Sequence, residues 1–242
     1  MTRTRTITAY GRVAGSDTEL GGPIRHFENP ATAVVRLFAE AGRAVAVSLV
    51  LDVRALVTAD AHEDRIVFAV VPVPGEPGPV AEAAPPGPDA LPRGQRFAAY
   101  GLATDPGGRV LLTEIAPGYP GAGRWHLPGG GTDAGEQPGD ALIRELYEET
   151  GQVGEITELL GVTHRRNPGA VGPEGYPIDW HGVRALYRVL VPAPSQPTVT
   201  EAAGGSTAAA AWFAPAELAG LPTTEVVQWA LAAPQRGSDR GR

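Results

Sequence analysis

Residues 74–94 read PGEPGPVAEAAPPGPDALPRG, a tract without apolar period in which proline repeatedly removes backbone donors. No helix or sheet interior tolerates such a run, so it is expected to form an extended, solvent-facing linker. It divides the chain into an N-terminal segment, 1–73, and a second region, 95–233. A short polar tail, 234–242, is expected to be disordered. Hydrophobic residues make up 43% of the 242, enough for a buried core.

The N-terminal segment predicts a small α/β module in the order strand, helix, strand, strand. Thr4–Val13 alternates polar and apolar residues. Asn29-Pro30 supplies a cap and a first-turn proline, and Val34, Leu37, Phe38 and Ala41 fall on one helical face before Gly42 stops it. Val45–Val57 and Arg65–Val73 are rich in β-branched residues and flank Asp60-Ala-His-Glu-Asp64, which reads as a hairpin turn. Its His62, Glu63 and Asp64 are therefore read as solvated rather than as a metal site. Both faces of the two strands are largely hydrophobic, and one helix covers only one face. The other face is expected against the rest of the chain or a second subunit. The module is thus expected to serve assembly or substrate enclosure and to contribute no catalytic group.

Net charge is −7, every basic residue is arginine, and no basic stripe occurs. That excludes binding of long nucleic acid through its phosphates. A small anionic substrate remains open, because a divalent cation can supply the positive charge. Without cysteine there are no disulfides or thiolate sites, a composition that suits the cytoplasm. The longest apolar run, Ala44–Leu51, falls far short of the ~20 residues a membrane helix needs. The expectation is a soluble, cytoplasmic protein with no membrane partner.

The second region opens with strand-like runs at Arg96–Thr104 and Arg109–Ile115, joined by the turn Asp105-Pro-Gly-Gly108. A glycine-rich loop, Pro117–Gly131, precedes a helix over about Gln137–Thr150 that Gly151 stops. Strands are predicted at Gly182–Val191 and Ala208–Phe213, and a last helix at about Thr223–Ala232. On the first of these helices Glu145, Glu148 and Glu149 stand at i, i+3 and i+4, so three carboxylates share one face. Alone they repel, each pair costing roughly 0.2–0.5 kcal/mol. Hard cations such as Mg²⁺ reverse that cost, since they prefer carboxylate oxygen. Arg144 reaches Glu148 at i+4, and the preceding glycines allow a phosphate close to the backbone. The bland reading of the same pattern is a solvated acidic face.

The spacing decides between the two. Gly130, five residues, Glu136, seven residues, Arg144-Glu145-Leu146, one residue, Glu148-Glu149, one residue and Gly151 resembles the signature of the Nudix hydrolases. The lead-in Arg124-Trp-His-Leu-Pro-Gly-Gly and the closing Gly204-Gly-Ser-Thr, Trp212-Phe213, Glu217-Leu218 and Leu221-Pro222 resemble the same family, which extends the likeness over about 95–233. Gln152 departs from it, since an aliphatic residue usually packs the helix end there; Val153 is expected to take over. The resemblance implies an α/β (α+β) fold, a mixed sheet sandwiched between helices, holding Mg²⁺ or Mn²⁺. It implies Glu148, Glu149 and the Gly130 carbonyl as metal ligands and Glu145 as ligand or general base. Arg144 would hold a catalytic glutamate in place, and Glu136 would support the loop.

The implied reaction is hydrolysis of the diphosphate bond of a nucleoside diphosphate derivative. Family members that cleave ADP-ribose often carry a Pro-Gly pair about sixteen residues past the signature, where Pro168-Gly169 stands. Glu174 or Asp179 would then be an extra carboxylate, though both read first as loop charges. Trp125, Trp180 and Trp212 are candidates to stack a base, with Trp212 expected in the core. His181 and Arg184 are placed to meet phosphate, His181 reading first as structural. A nucleoside triphosphate pyrophosphatase is the alternative substrate class. A nucleotide-binding sensor without turnover is the alternative of another kind, and the intact carboxylates speak against it. Some relatives of this family form homodimers through N-terminal strands, so a homodimer is expected.

Overall fold

The computed structural model describes residues 4–16, 18–80, 90–171, 175–200 and 205–234. Residues 81–89 of the proline-rich tract, the candidate Glu174, Gly204 of the closing motif and 235–242 of the tail lie outside the described residues. Contacts cluster the chain into two compact units. The first comprises Met1–Tyr100, Gly129–Leu142 and Gly161–Tyr187; the second comprises Gly101–Pro128, Ile143–Leu160 and Arg188–Arg242.

The first unit contains a four-stranded sheet of β1 (Thr4–Val13), β2 (Glu19–Pro23), β3 (Val45–Val57) and β4 (Ala61–Pro72) in the order β2-β1-β4-β3. β1 runs parallel to β4 and antiparallel to β2, and β3 runs antiparallel to β4. Helix α1 (Pro30–Glu40) starts where its sequence predicts: Asn29 Oδ1 accepts the Ala31 N–H at 2.8 Å. Ala33, Val34 and Phe38 are its buried apolar face. Gly11 of β1 lets the helix sit close, because a Cβ there would fall 2.7 Å from both Phe38 and Val34.

Three expectations need correction in this unit. β4 begins at Ala61, so the turn is confined to Thr58–Asp60, and His62 and Asp64 are strand residues, 1% and 0% exposed. Strand β2 was not predicted; two glycines and a proline in five residues hide it. The third concerns Leu49, Leu51, Leu56 and Val57 of β3, which remain exposed on this chain.

In the second unit β6 (Val110–Ile115) pairs antiparallel with β11 (Thr207–Phe213) and with the two-residue strand β7 (Trp125–His126). Helix α3 (Glu225–Ala232) belongs here, and Leu111, Leu112, Leu127, Leu146 and Val227 are among its fully buried residues. Strands β5 (Arg93–Thr104), β9 (Glu155–Val171) and β10 (Pro177–Leu190) and helix α2 (Pro138–Thr150) each run from one unit into the other. Strand order is β11-β6-β5-β10-β9, with β8 (Gly129–Gly131) on β5. The sheet is mixed, as expected, and is accompanied by few helices. The 17-residue β9 has no counterpart among the predicted strands, and Pro168-Gly169 lies inside it.

Candidate active site

Helix α2 begins at Pro138 and ends at Thr150, where Gly151 takes φ 67°, the left-handed conformation that closes a helix. Along it Arg144 donates from Nη1 to Glu145 Oε1 at 2.9 Å and to Glu148 Oε2 at 3.2 Å. One guanidinium therefore joins two of the three carboxylates. Glu149 is 5% exposed and accepts the Thr207 hydroxyl at 2.6 Å, whereas the Glu148 side chain is 42% exposed. The three carboxylates thus sit in graded environments on a single helix face.

The loop that leads into α2 is built on backbone approach. β8 pairs with β5 through Ala98↔Gly131, Ala99↔Gly130 and Tyr100↔Gly129. Gly129 has φ 133°, and a Cβ there would fall 2.3 Å from the Ala99 carbonyl, so no other residue fits. At Gly131 a Cβ would fall 1.9 Å from Arg96 Nε, because the guanidinium of Arg96 lies over the glycine backbone. Farther on, the Asp133 N–H donates to Glu136 Oε2 at 2.9 Å, which tightens the loop before the helix.

The remaining predicted residues are held mainly by packing. Trp125 presents its ring to Phe213, centroids 4.7 Å apart and planes at 76°. Trp180 packs where a Gly94 side chain would stand, 2.6 Å from that Cβ. Arg184 lies over the Tyr100 ring at 5.5 Å. Asp179 is paired with Arg166 at 3.0 Å. Trp212 is not core: it is half-buried, donates from Nε1 to the Ser195 carbonyl at 3.0 Å and lies under Arg109. Val153 does not replace the missing aliphatic residue, being 69% exposed. Gln152 itself fills the buried position. Its Oε1 accepts the Ser195 N–H and its Nε2 donates to Ser195 Oγ, both at 2.9 Å, so a paired amide does the work of an alkyl group.

His181 is fully buried, and its Nδ1 accepts the Phe27 N–H at 3.1 Å. Burial, then the positive charge of His164 and of His26, lowers its pKa to about 4. It is therefore a neutral hydrogen-bonding residue at physiological pH.

Among the described residues no three acidic or histidine groups converge closely enough to hold an ion by themselves. Arg144 draws Glu145 and Glu148 toward itself, and Glu149 is bonded to Thr207. The donor set is nonetheless all hard oxygen, the set Mg²⁺ takes with few protein ligands and several waters.

Sequence reasoning missed Arg96, whose cation rests on the glycine loop, and missed Arg5, His62 and Asp64. Arg5 donates to both Asp64 oxygens, at 2.7 and 3.0 Å, and to the Thr132 carbonyl at 2.6 Å. The signal for Arg96 was only its place at the start of a strand. For the others there was none, since their partners lie about 60 to 130 residues away.

Residues 94–232 match the family model described as the NUDIX domain. A 53-residue stretch is 54% identical to human diphosphoinositol polyphosphate phosphohydrolase 3-alpha and 49% identical to mouse diphosphoinositol polyphosphate phosphohydrolase 2. That stretch is 22% of this chain and spans 30% and 28% of those relatives, less than a third of either. Among solved structures, the MutT NUDIX hydrolase of Burkholderia pseudomallei is 31% identical, over 57% of this chain and 97% of its own, at a TM-score of 0.44. The NUDIX domain of Shewanella oneidensis NrtR, solved with ADP ribose, is 20% identical over 57% of this chain and 84% of its own, also at 0.44. With more than half its length matching the family model, the chain belongs to the Nudix hydrolase superfamily.

Proposed function

We propose that the protein is a divalent-metal-dependent pyrophosphohydrolase that cleaves the diphosphate bond of a nucleoside diphosphate derivative, ADP-ribose or a sugar nucleotide in type. The observation that carries this reading is the α2 face. Three carboxylates share that face, Glu145 and Glu148 joined by Arg144 and Glu149 buried against Thr207, and a binding module would not need their repulsion. Glu148, Glu149 and the Gly130 carbonyl would hold Mg²⁺ or Mn²⁺. When bound, the ion supplies Lewis-acid charge and lowers the pKa of water.

The side chains do the rest. Glu145 accepts the proton of the water that attacks phosphorus, and Arg144, joined to Glu145 and Glu148, keeps both carboxylates oriented. Arg96, over Gly131, is placed to meet a phosphate oxygen where the glycine backbone leaves room. Phosphoryl transfer needs mainly this positioning and charge stabilisation. The named relatives act, by their names, on diphosphoinositol polyphosphate, which shares the phosphoanhydride bond and leaves the attached group open.

A chromatographic screen for the hydrolysis products tests the reading. ADP-ribose, dinucleotides, sugar nucleotides, diphosphoinositol polyphosphate and nucleoside triphosphates are offered with Mg²⁺ or Mn²⁺. Turnover of a diphosphate-linked nucleoside that stops in excess EDTA is expected. Full turnover in EDTA, or tight nucleotide binding with no turnover of any substrate, refutes it.

A further inference from the structure

The loop between β8 and α2 is gripped by side chains of the N-terminal sheet, all of them within the first compact unit. The Arg5 guanidinium forks onto the Asp64 carboxylate and reaches both the carbonyl and the hydroxyl of Thr132. Asp64 Oδ1 also lies 3.0 Å from His62 Nε2. On the other side of that ring, Nδ1 accepts the Gly135 N–H at 2.8 Å. An accepting Nδ1 puts the ring hydrogen on Nε2, where it donates to Asp64, so the tautomer is set by its two partners. Two residues farther, the Gln137 side chain brackets the edge of β3. Its Oε1 accepts the Ala55 N–H at 2.9 Å, and its Nε2 donates to the Ala55 carbonyl at 2.8 Å. Pro138, the next residue, is the first of α2.

Burying His62 and Asp64 almost completely is costly unless every polar atom is answered. Here the answering groups are the loop and Arg5. Resting on the reading of 130–151 as the metal-binding hydrolytic segment, we infer that Arg5, Asp64 and His62 are positioning residues that hold the Thr132–Gln137 loop for metal binding and turnover. The arrangement is the outer support that orients ligating groups in metal sites, supplied by a part of the chain with no ligand of its own. The alternation of β4 puts His62 and Asp64 on one face. Parallel pairing in register with Arg5↔His62 and Ile7↔Asp64 brings Arg5 beside them.

The test uses the full chain and Mn²⁺ alone, with binding followed by electron paramagnetic resonance and loop opening by hydrogen exchange at the Gly135 amide. Arg5→Met and His62→Phe are expected to weaken Mn²⁺ binding about tenfold or more. Both should speed exchange at Gly135. His62→Asn keeps an acceptor near the Nδ1 position and should restore Mn²⁺ binding to within about threefold of the parent. His62→Gln keeps the donor toward Asp64, loses that acceptor, and should not. If His62→Phe fails to fold, the Asn and Gln pair decides. Equal Mn²⁺ affinity in that pair, or parental affinity in a folded His62→Phe, overturns the inference. Glu149→Gln is the reference: unchanged Mn²⁺ affinity there would overturn the metal-site reading itself, and the inference with it.

Discussion

Glu148 and Glu149 are neighbours in sequence, yet one carboxylate is largely in water and the other lies under Thr207. Both carry charge that the proposed reaction uses and that the metal-free fold must tolerate. Replacing either by glutamine removes that charge while keeping the shape. Glu148→Gln and Glu149→Gln should each lower kcat at least about a hundredfold, equivalent to ~3 kcal/mol of transition-state stabilisation. Each should leave the metal-free melting temperature equal or slightly higher, because one repulsive neighbour is gone. Steady-state kinetics and calorimetry on the two variants check both halves. Near-parental turnover in both would remove these residues from the site.

At the scale of elements, β10 and the connection ahead of α1 meet at His181. Phe27 there has φ 68°, which a bulky residue seldom adopts. Its N–H bond to His181 and the Arg166 guanidinium 3.9 Å over its ring hold it. Gln95 also lies within hydrogen-bond reach of His181 Nδ1, at 3.0 Å, while Nε2 is buried without a partner among the described residues. The folded pKa, about 4, is below the ordinary 6.5, so as pH falls the unfolded chain takes up the proton first. The contribution to stability is complete above pH 6.5 and is lost toward pH 4. At pH 5 the loss is about 2 kcal/mol. Urea unfolding at pH 7.5 and 5.0 should show that loss in the parent and a smaller one in His181→Asn, which keeps an acceptor for Phe27. Identical pH dependence in the two proteins would contradict it.

The same scale separates what was readable from what was not. α1 and α2 announced themselves because their starts, stops and faces lie within single unbroken stretches, Asn29–Gly42 and Gln137–Gly151. The Nudix signature was legible for the same reason: its three closely spaced carboxylates share one helix. β9 escaped because it ends the strand order, and an edge strand with one buried residue shows no alternation. His62 and Asp64 were mistaken for turn residues because a polar run looks alike whether water or a distant arginine answers it. Gln152 was noted as a departure, but its amide partner lies 43 residues away.

For the whole molecule, we propose that assembly through residues 1–73 would use β3. β3 ends the four-stranded order, runs 13 residues, and exposes Leu49, Leu51, Leu56 and Val57. Exposed apolar side chains of this kind invite a second chain. Starting the chain at Arg93 removes that strand together with Arg5, His62 and Asp64. The full chain is expected to be a dimer and the truncated protein a monomer that binds Mn²⁺ and substrate more weakly. Light scattering with titration and kinetics decides; an unchanged assembly state with unchanged constants refutes the role of the segment. Loss of turnover with affinity and assembly intact would place a catalytic group within it.

The two hydrogen bonds between Gln137 and Ala55 have a thermodynamic corollary. A contact that lets one part order another works in both directions with equal free energy. Whatever ion or ligand steadies the loop ahead of α2 must therefore strengthen the N-terminal sheet by the same amount that the sheet improves its binding. The resting enzyme and the loaded enzyme then differ in how firmly a region remote in sequence is folded. On the inferred positioning role, the first 73 residues would be a gauge of occupancy as well as a support.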